Sequence, residues 1–191
     1  MTTVLQSPGA PVTPAEAAVA CAIYCCDKKE YPLKNNRGGR KTCQRLAHRK
    51  HSCVLHSLRE KKGNQLTTTN KRSDVQASPR IQPGSLGNNT GRVLIPDTIV
   101  DGNKVIDAKF PCEDAKVEFS TGDGTVQNLS DGRLGAQMST AKEAIDYKKI
   151  TGVKKVECMT PADTAAKKGD NCACEENSGG EEEEEEEEEE E

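Results

Sequence analysis

Ile95-Pro96-Asp97-Thr98-Ile99-Val100-Asp101-Gly102-Asn103-Lys104-Val105-Ile106-Asp107-Ala108-Lys109-Phe110 sets two β-branched runs on either side of an Asp-Gly-Asn turn. The pattern predicts strands over 93–100 and 104–110, joined as a hairpin. Side chains of a strand alternate between faces, so Asp107 and Lys109 point one way and Ile106, Ala108 and Phe110 the other. The apolar set is expected to pack on a helix. Where Asp97 points depends on the turn. A two-residue turn at Asp101-Gly102 sets 100 opposite 103 and 97 opposite 106, which leaves the two carboxylates on opposite faces. A three-residue loop over 101–103 sets 100 opposite 104 and 97 opposite 107, and the carboxylates then face each other. Both loop lengths are common and both accept this Asp-Gly-Asn chemistry, so the sequence leaves the choice open.

In the second register, Asp97 and Asp107 form an oxygen site of the kind taken by Mg²⁺ or Mn²⁺, hard cations held by one or two carboxylates plus water. Such a cation polarises a scissile phosphate and acidifies water. Lys109 is placed to orient the attacking water or to neutralise transition-state charge. Asp-x-Lys is a frequent tripeptide, and acids beside a turn are ordinarily just solvated. The reading rests on both halves occurring at hairpin spacing.

Working outward, Pro14 to Cys21 is predicted as a short helix with Thr13 as N-cap and Pro14 in the first position. A second helix is expected over roughly Arg45 to Lys62. Val117 to Ser120 offers a third strand, and 121–135 is a Gly/Asp-rich loop. Ala136 to Ile150 has helical spacing, with Met138, Ala141, Ala144 or Ile145, and Ile150 able to form a stripe, and Gly152 follows as the stop. Val153 to Met159 reads as the last strand. The expected fold class is α/β, a mixed central sheet flanked by helices in the order helix, strands, helix, strand. The divisions are an extended N-terminal segment (1–20), a Cys/His-rich basic segment contributing the first core helix (21–62), a polar linker or loop (63–90), the core (91–160), and a linker with an acidic tail (161–191).

Pro96-Asp97 followed by Asp107-Ala108-Lys109 resembles the active-site signature of the PD-(D/E)xK nucleases, the restriction-endonuclease-like superfamily, over roughly residues 45–160. The resemblance implies a restriction-endonuclease-like core and a Mg²⁺-dependent nuclease acting on DNA. By position, Asp97, Asp107 and the Ala108 carbonyl would hold the metal and Lys109 would work on the nucleophile. Many members add an acid from the first helix, and Glu60 is the residue that offers itself. A Gln and a Tyr four residues apart are found in some members. Gln137 and Tyr147 are ten apart here, so that motif does not carry over. A small Cys-rich chain of this kind also resembles the toxin nuclease domains that bacteria deliver through specialised secretion, which would imply a dedicated immunity protein as partner.

The bulk numbers agree with a nucleic-acid partner. Of 31 acidic residues, eleven form the terminal run Glu181–Glu191, which leaves 20 against 27 basic residues in 1–180. With 33% hydrophobic residues and 3% aromatic, the core is expected to be small. Arg40, Lys41, Arg45, Arg49 and Lys50 head a basic stretch suited to phosphates, with salt-dependent binding expected. The glutamate run is expected to be a solubilising tail or a phosphate mimic folded back on the basic face. Its removal would then raise activity at low salt.

No run of about eighteen apolar residues suggests a membrane span, and no secretory leader is expected, so the nine cysteines read first as thiols or metal ligands. Cys43, His48, Cys53 and His56 offer two thiolates and two imidazoles within fourteen residues, a ligand set that suits structural Zn²⁺. Cys25, Cys26, Cys172 and Cys174 could supply ligands or pair with one another. The alternative function is a zinc-stabilised, non-catalytic nucleic-acid-binding or adaptor protein. A third reading is a disulfide-rich secreted structural protein.

Overall fold

The computed structural model describes residues 11–31, 40–110, 118–120, 126–128 and 141–174, without the side chains at 40–44, 118–120, 126–128 and 141–144. The first helix, α1 (Pro14–Lys28), starts as predicted: the Thr13 hydroxyl accepts the Glu16 N–H, and Pro14 fills a position that needs no donor. It runs seven residues past the predicted end, because Val19, Ala22, Ile23 and Cys26 continue one buried face. The second helix, α2 (Arg40–Leu58), buries Ala47, Val54 and Leu58. It begins and ends earlier than the predicted 45–62. Residues after Leu58 instead form β1 (Arg59–Lys62), which pairs with β2 (Gln65–Asn70) across a turn where Gly63 has φ 63°.

The segment read as a linker, 63–90, therefore carries strands. Besides β2 it contains β3 (Val75–Ala77), whose Val75 and Ala77 are buried in the main sheet. Two apolar residues in a three-residue strand are too few for alternation to stand out in a sequence. The following loop is held by Asn88, whose buried amide donates to the carbonyls of Ile81 and Arg92. The predicted strand 93–100 is shorter, β4 (Thr98–Val100), preceded by an isolated bridge between Leu94 and Ile81. The lysine strand is β5 (Lys104–Ala108). Of the predicted third strand, β6 (Glu118–Ser120) forms, but it pairs with β7 (Val126–Asn128), inside the expected loop, rather than with the hairpin.

The helix expected over 136–150 is observed as α3 (Ala141–Lys148). Met138 and Gln137 lie outside the described residues, and Ile145 is exposed. Ile150 is buried as expected, and Tyr147 shares that side. Gly152, at φ 89°, stops the segment as expected. Then come β8 (Lys155–Met159) and the single turn α4 (Pro161–Thr164).

The main sheet has the order β3-β4-β5-β8, with β3, β4 and β5 antiparallel and β8 parallel to β5. A parallel return needs a crossover, which the α3 segment supplies. One face carries Val100, Ile106, Ala108 and Phe110 against the apolar sides of α1 and α2. The other carries Ile99, Val105, Val156 and Cys158 against Tyr147 and Ile150. The result is a mixed α/β architecture in which a four-stranded sheet is covered on both faces, as expected, with β1–β2 and β6–β7 as separate ribbons. No helix among the described residues is long and apolar enough to cross a membrane.

Among the described residues three disulfides staple this frame: Cys21–Cys172 and Cys25–Cys174 tie residues 172–174 to α1, and Cys26–Cys53 ties α1 to α2. The expectation of thiols or ligands is thus replaced by pairing for six cysteines. Cys158 is a buried free thiol. The Cys43 side chain and Cys112 lie outside the described residues.

A half-buried ion cluster docks α1 on the sheet. Lys104 lies 2.8 Å from Glu16 and 2.7 Å from Glu157, and Lys167 pairs with both carboxylates. Burial alone would raise the Glu157 carboxyl, but hydrogen bonds from Lys104 and Lys167 outweigh it and hold the pKa at about 2. A depressed carboxylate contributes stability that is complete above its unfolded-chain value, about 4.3, and is lost as pH falls toward 2. Discounted for partial exposure, Glu157→Gln should cost on the order of 1–2 kcal/mol at pH 7 and flatten the loss of melting temperature between pH 4 and pH 2. Thermal melts across that range check it; parallel acid profiles for the two proteins would refute it.

Candidate active site

The turn decides the site. Val100 pairs with Lys104, Ile99 with Val105 and Thr98 with Ile106, so the loop has three residues. Asp101 and Gly102 take the left-handed conformation, at φ 50° and 64°, and Asn103 donates its N–H to Val100. Carried one pair further, this register sets Asp97 opposite Asp107. The two side chains share a hydrogen bond just beyond the end of β4 and at the end of β5. The Ala108 N–H donates to Asp97 Oδ2 at 2.8 Å. An extended residue turns its N–H and C=O to the same side, so the Ala108 carbonyl faces the Asp97 side as well. Lys109 Nζ lies 3.0 Å from Asp107 Oδ2. Asp97, Asp107, Ala108 and Lys109 are therefore brought together, with Asp107 and Lys109 buried and Asp97 at the accessible rim, its side chain 28% exposed.

Electrostatics separate the two acids. Burial raises the Asp107 carboxyl well above its ordinary value, the charge on Asp97 pushes the same way, and Lys109 only partly opposes them. Burial acts on Asp97 too, but the hydrogen bond and charge of His51, then the charge of Lys109, hold it well below the ordinary range. Burial would discharge Lys109, yet the two carboxylates outweigh it and raise its pKa. Asp107 thus takes up a proton more readily than an ordinary carboxyl, as like charges in contact favour unless a cation neutralises them.

His51 has no place in the sequence reading. It projects from α2 with Nδ1 3.4 Å from Asp97 Oδ2, and Phe110 packs edge-on against its ring at a centroid distance of 5.3 Å. Among the described residues its Nε2 is buried with no hydrogen-bond partner. A signal existed: His51 sits on the stripe Ala47, His51, Val54, Leu58, and a polar residue on the buried side of an amphipathic helix asks for a partner. The helix before the sheet, α2, does contribute to the site, through this imidazole. Glu60 is exposed on β1, beyond the end of α2.

Other expected residues fall as follows. Arg45 is exposed, Arg49 is partly buried, and Lys50 is paired with Asp27 at 2.7 Å and lies over the Phe110 ring. The side chains of Arg40 and Lys41 are outside the described residues, as is the tail 181–191. Tyr147 is buried and donates to the Ile95 carbonyl. The zinc set Cys43, His48, Cys53, His56 does not hold together, because Cys53 is bonded to Cys26 and a disulfide sulfur is not a thiolate ligand. His48 is exposed and His56 only partly buried. A different group of sulfurs, Cys21, Cys25 and Cys172, lies within 4.8 Å of one another and could hold one ion only with their disulfides reduced. Cys158 stands beside Asp107 in the β5–β8 register, and burial pushes its thiol up to about 12, which leaves no thiolate for nucleophilic chemistry.

The donor set fits a hard divalent cation. It offers two carboxylates and a main-chain carbonyl, all oxygen, and two carboxyl groups in contact mark a place where positive charge is favoured. Comparison with protein-family models, with characterised proteins and with solved structures finds no match to this chain.

Proposed function

We propose that this chain is a Mg²⁺-dependent nuclease of the PD-(D/E)xK type that hydrolyses phosphodiester bonds of DNA. The observation that carries the reading is the convergence of Asp97, Asp107 and Lys109, through a three-residue loop, on one end of the sheet. The order α2, β3–β5, α3, β8 supports it, being the helix–strands–helix–strand order that the signature leads one to expect. Asp97, Asp107 and the Ala108 carbonyl would hold Mg²⁺ (or Mn²⁺), which when bound supplies positive charge to phosphate oxygens and acidifies water.

The chain's own residues do the rest. The Ala108 N–H and His51 fix the Asp97 carboxylate from two sides, so little reorganisation is left when the phosphate arrives. Lys109, held by Asp107, orients the attacking water or offsets the charge that develops on the phosphate. The basic side of α2 would hold the duplex, and salt should weaken binding steeply. In this reading the toxin-like placement, with a dedicated immunity protein as partner, goes with the nuclease.

Supercoiled plasmid incubated with the protein should be nicked in Mg²⁺ and untouched in EDTA. Full-length plasmid in both, with Mn²⁺ also tried, would remove the reading. His51→Asn should cut activity roughly 10- to 100-fold, as loss of outer-shell orientation does, and should raise the Mg²⁺ concentration needed for half-maximal rate. A rate loss with unchanged Mg²⁺ dependence would limit His51 to a structural part. The second reading, a zinc-stabilised protein that binds nucleic acid without cutting it, draws on the sulfur cluster at α1. It predicts DNA retention with zinc loaded, lost on chelation, and no cleavage under any metal.

A further inference from the structure

Cys21 and Cys25 stand one turn apart on α1, and Cys172 and Cys174 come to them from the end of the described chain. The sulfurs of the two bridges crowd one another. Cys21 Sγ is 4.0 Å from Cys25 Sγ, and Cys25 Sγ is 3.9 Å from Cys172 Sγ, although neither pair is bonded. A tetrahedral Zn²⁺ with four thiolates at about 2.3 Å places its sulfurs about 3.8 Å apart. Two independent staples have no need of that spacing.

We infer that Cys21, Cys25, Cys172 and Cys174 form a redox-gated zinc site, holding one Zn²⁺ as four thiolates when reduced and two disulfides when oxidised. Three of the sulfurs, Cys21, Cys25 and Cys172, lie within 4.8 Å of one another; Cys174 is tied to them through its bond to Cys25 and supplies the fourth ligand, and its exposure gives a reductant access. The conversion balances with a dithiol reductant. Two protein disulfides and two dithiols give four protein thiols and two reductant disulfides. Zn²⁺ then binds the four thiolates and releases four protons. The bound centre carries a net charge of −2. Cys26 is committed elsewhere, to Cys53.

In either state residues 172–174 stay fastened to α1, so the clamp outlasts a move between oxidising and reducing surroundings. This does not depend on the nuclease reading.

The test loads the full chain, reduced and free of metal, with Co²⁺ under anaerobic conditions. Expected are one ion per chain, intense tetrahedral d–d bands and a thiolate-to-cobalt charge-transfer band. Diamide should then release that ion as four titratable thiols disappear. Cys172→Ser/Cys174→Ser should lose the bands, whereas Cys26→Ser/Cys53→Ser should keep them. Cys174→His, which cannot form the bridge but can still ligate, should keep one ion with a weaker charge-transfer band. Absence of the band in the reduced wild type overturns the site, as does its survival in Cys172→Ser/Cys174→Ser or its loss in Cys174→His.

Discussion

Asp107→Asn should slow plasmid cleavage by about a thousandfold or more while leaving the protein as stable as the wild type, or more so. The two effects part because the native carboxyl is buried against a second carboxyl. An amide of the same shape removes the like-charge contact and still hydrogen-bonds to Asp97. Lys109→Met should lose activity to a similar extent but destabilise by roughly 3 kcal/mol, because it leaves the buried Asp107 and the neighbouring Asp97 without their cation. Cleavage rates and thermal melts of both variants decide this. Added Mg²⁺ should raise the melting temperature of the wild type and not that of Asp107→Asn. Equal stability losses in the two variants, or Mg²⁺ stabilisation surviving in Asp107→Asn, would mean that the site is not charged as described.

Reducing the disulfides in the presence of a chelator should have the largest effect on stability. Cys21–Cys172 spans 151 residues of sequence, and closing a loop of that size removes about 5 kcal/mol of chain entropy from the unfolded state. Cys25–Cys174 closes almost the same loop a second time and adds less. Cys26–Cys53, with a separation of 27, contributes about 3.5 kcal/mol and holds α2, hence His51, against α1. Cys172→Ser/Cys174→Ser should therefore lower the melting temperature by roughly 15 °C with Asp97, Asp107 and Lys109 still in place. Cys26→Ser/Cys53→Ser should lower it less and yet impair cleavage, through the looser His51. Melting curves of the two double variants test the ranking; a reversed order would show that loop closure is not what the terminal staples provide.

Much of the site was legible before the fold was known. Asp107 and Lys109 on one face and Ile106, Ala108 and Phe110 on the other follow from the period of a strand. Thr13 and Pro14 mark the start of α1 because a cap and a missing donor act within one turn. Less was legible where the signal is short or compositional. β3 carries only two buried residues, and Arg59–Lys62 looks like the continuation of a charged helix because polar residues show no face.

By itself, then, the sequence determined the hairpin, the chemistry of its residues and the order of the main elements, because those depend on neighbours a few residues away. Three things belonged to the tertiary structure. The register across Asp101–Asn103 is set by how both strands pack on α1, α2 and the α3 segment, and a shift of one residue would have turned the carboxylates apart. His51 meets Asp97 across 46 residues of chain only once α2 lies on the sheet. Cysteine pairing is a matter of Cα positions in space, and composition alone allows six cysteines fifteen ways to join. In each case the deciding energy comes from contacts between residues distant in sequence, which exist only after the chain has folded.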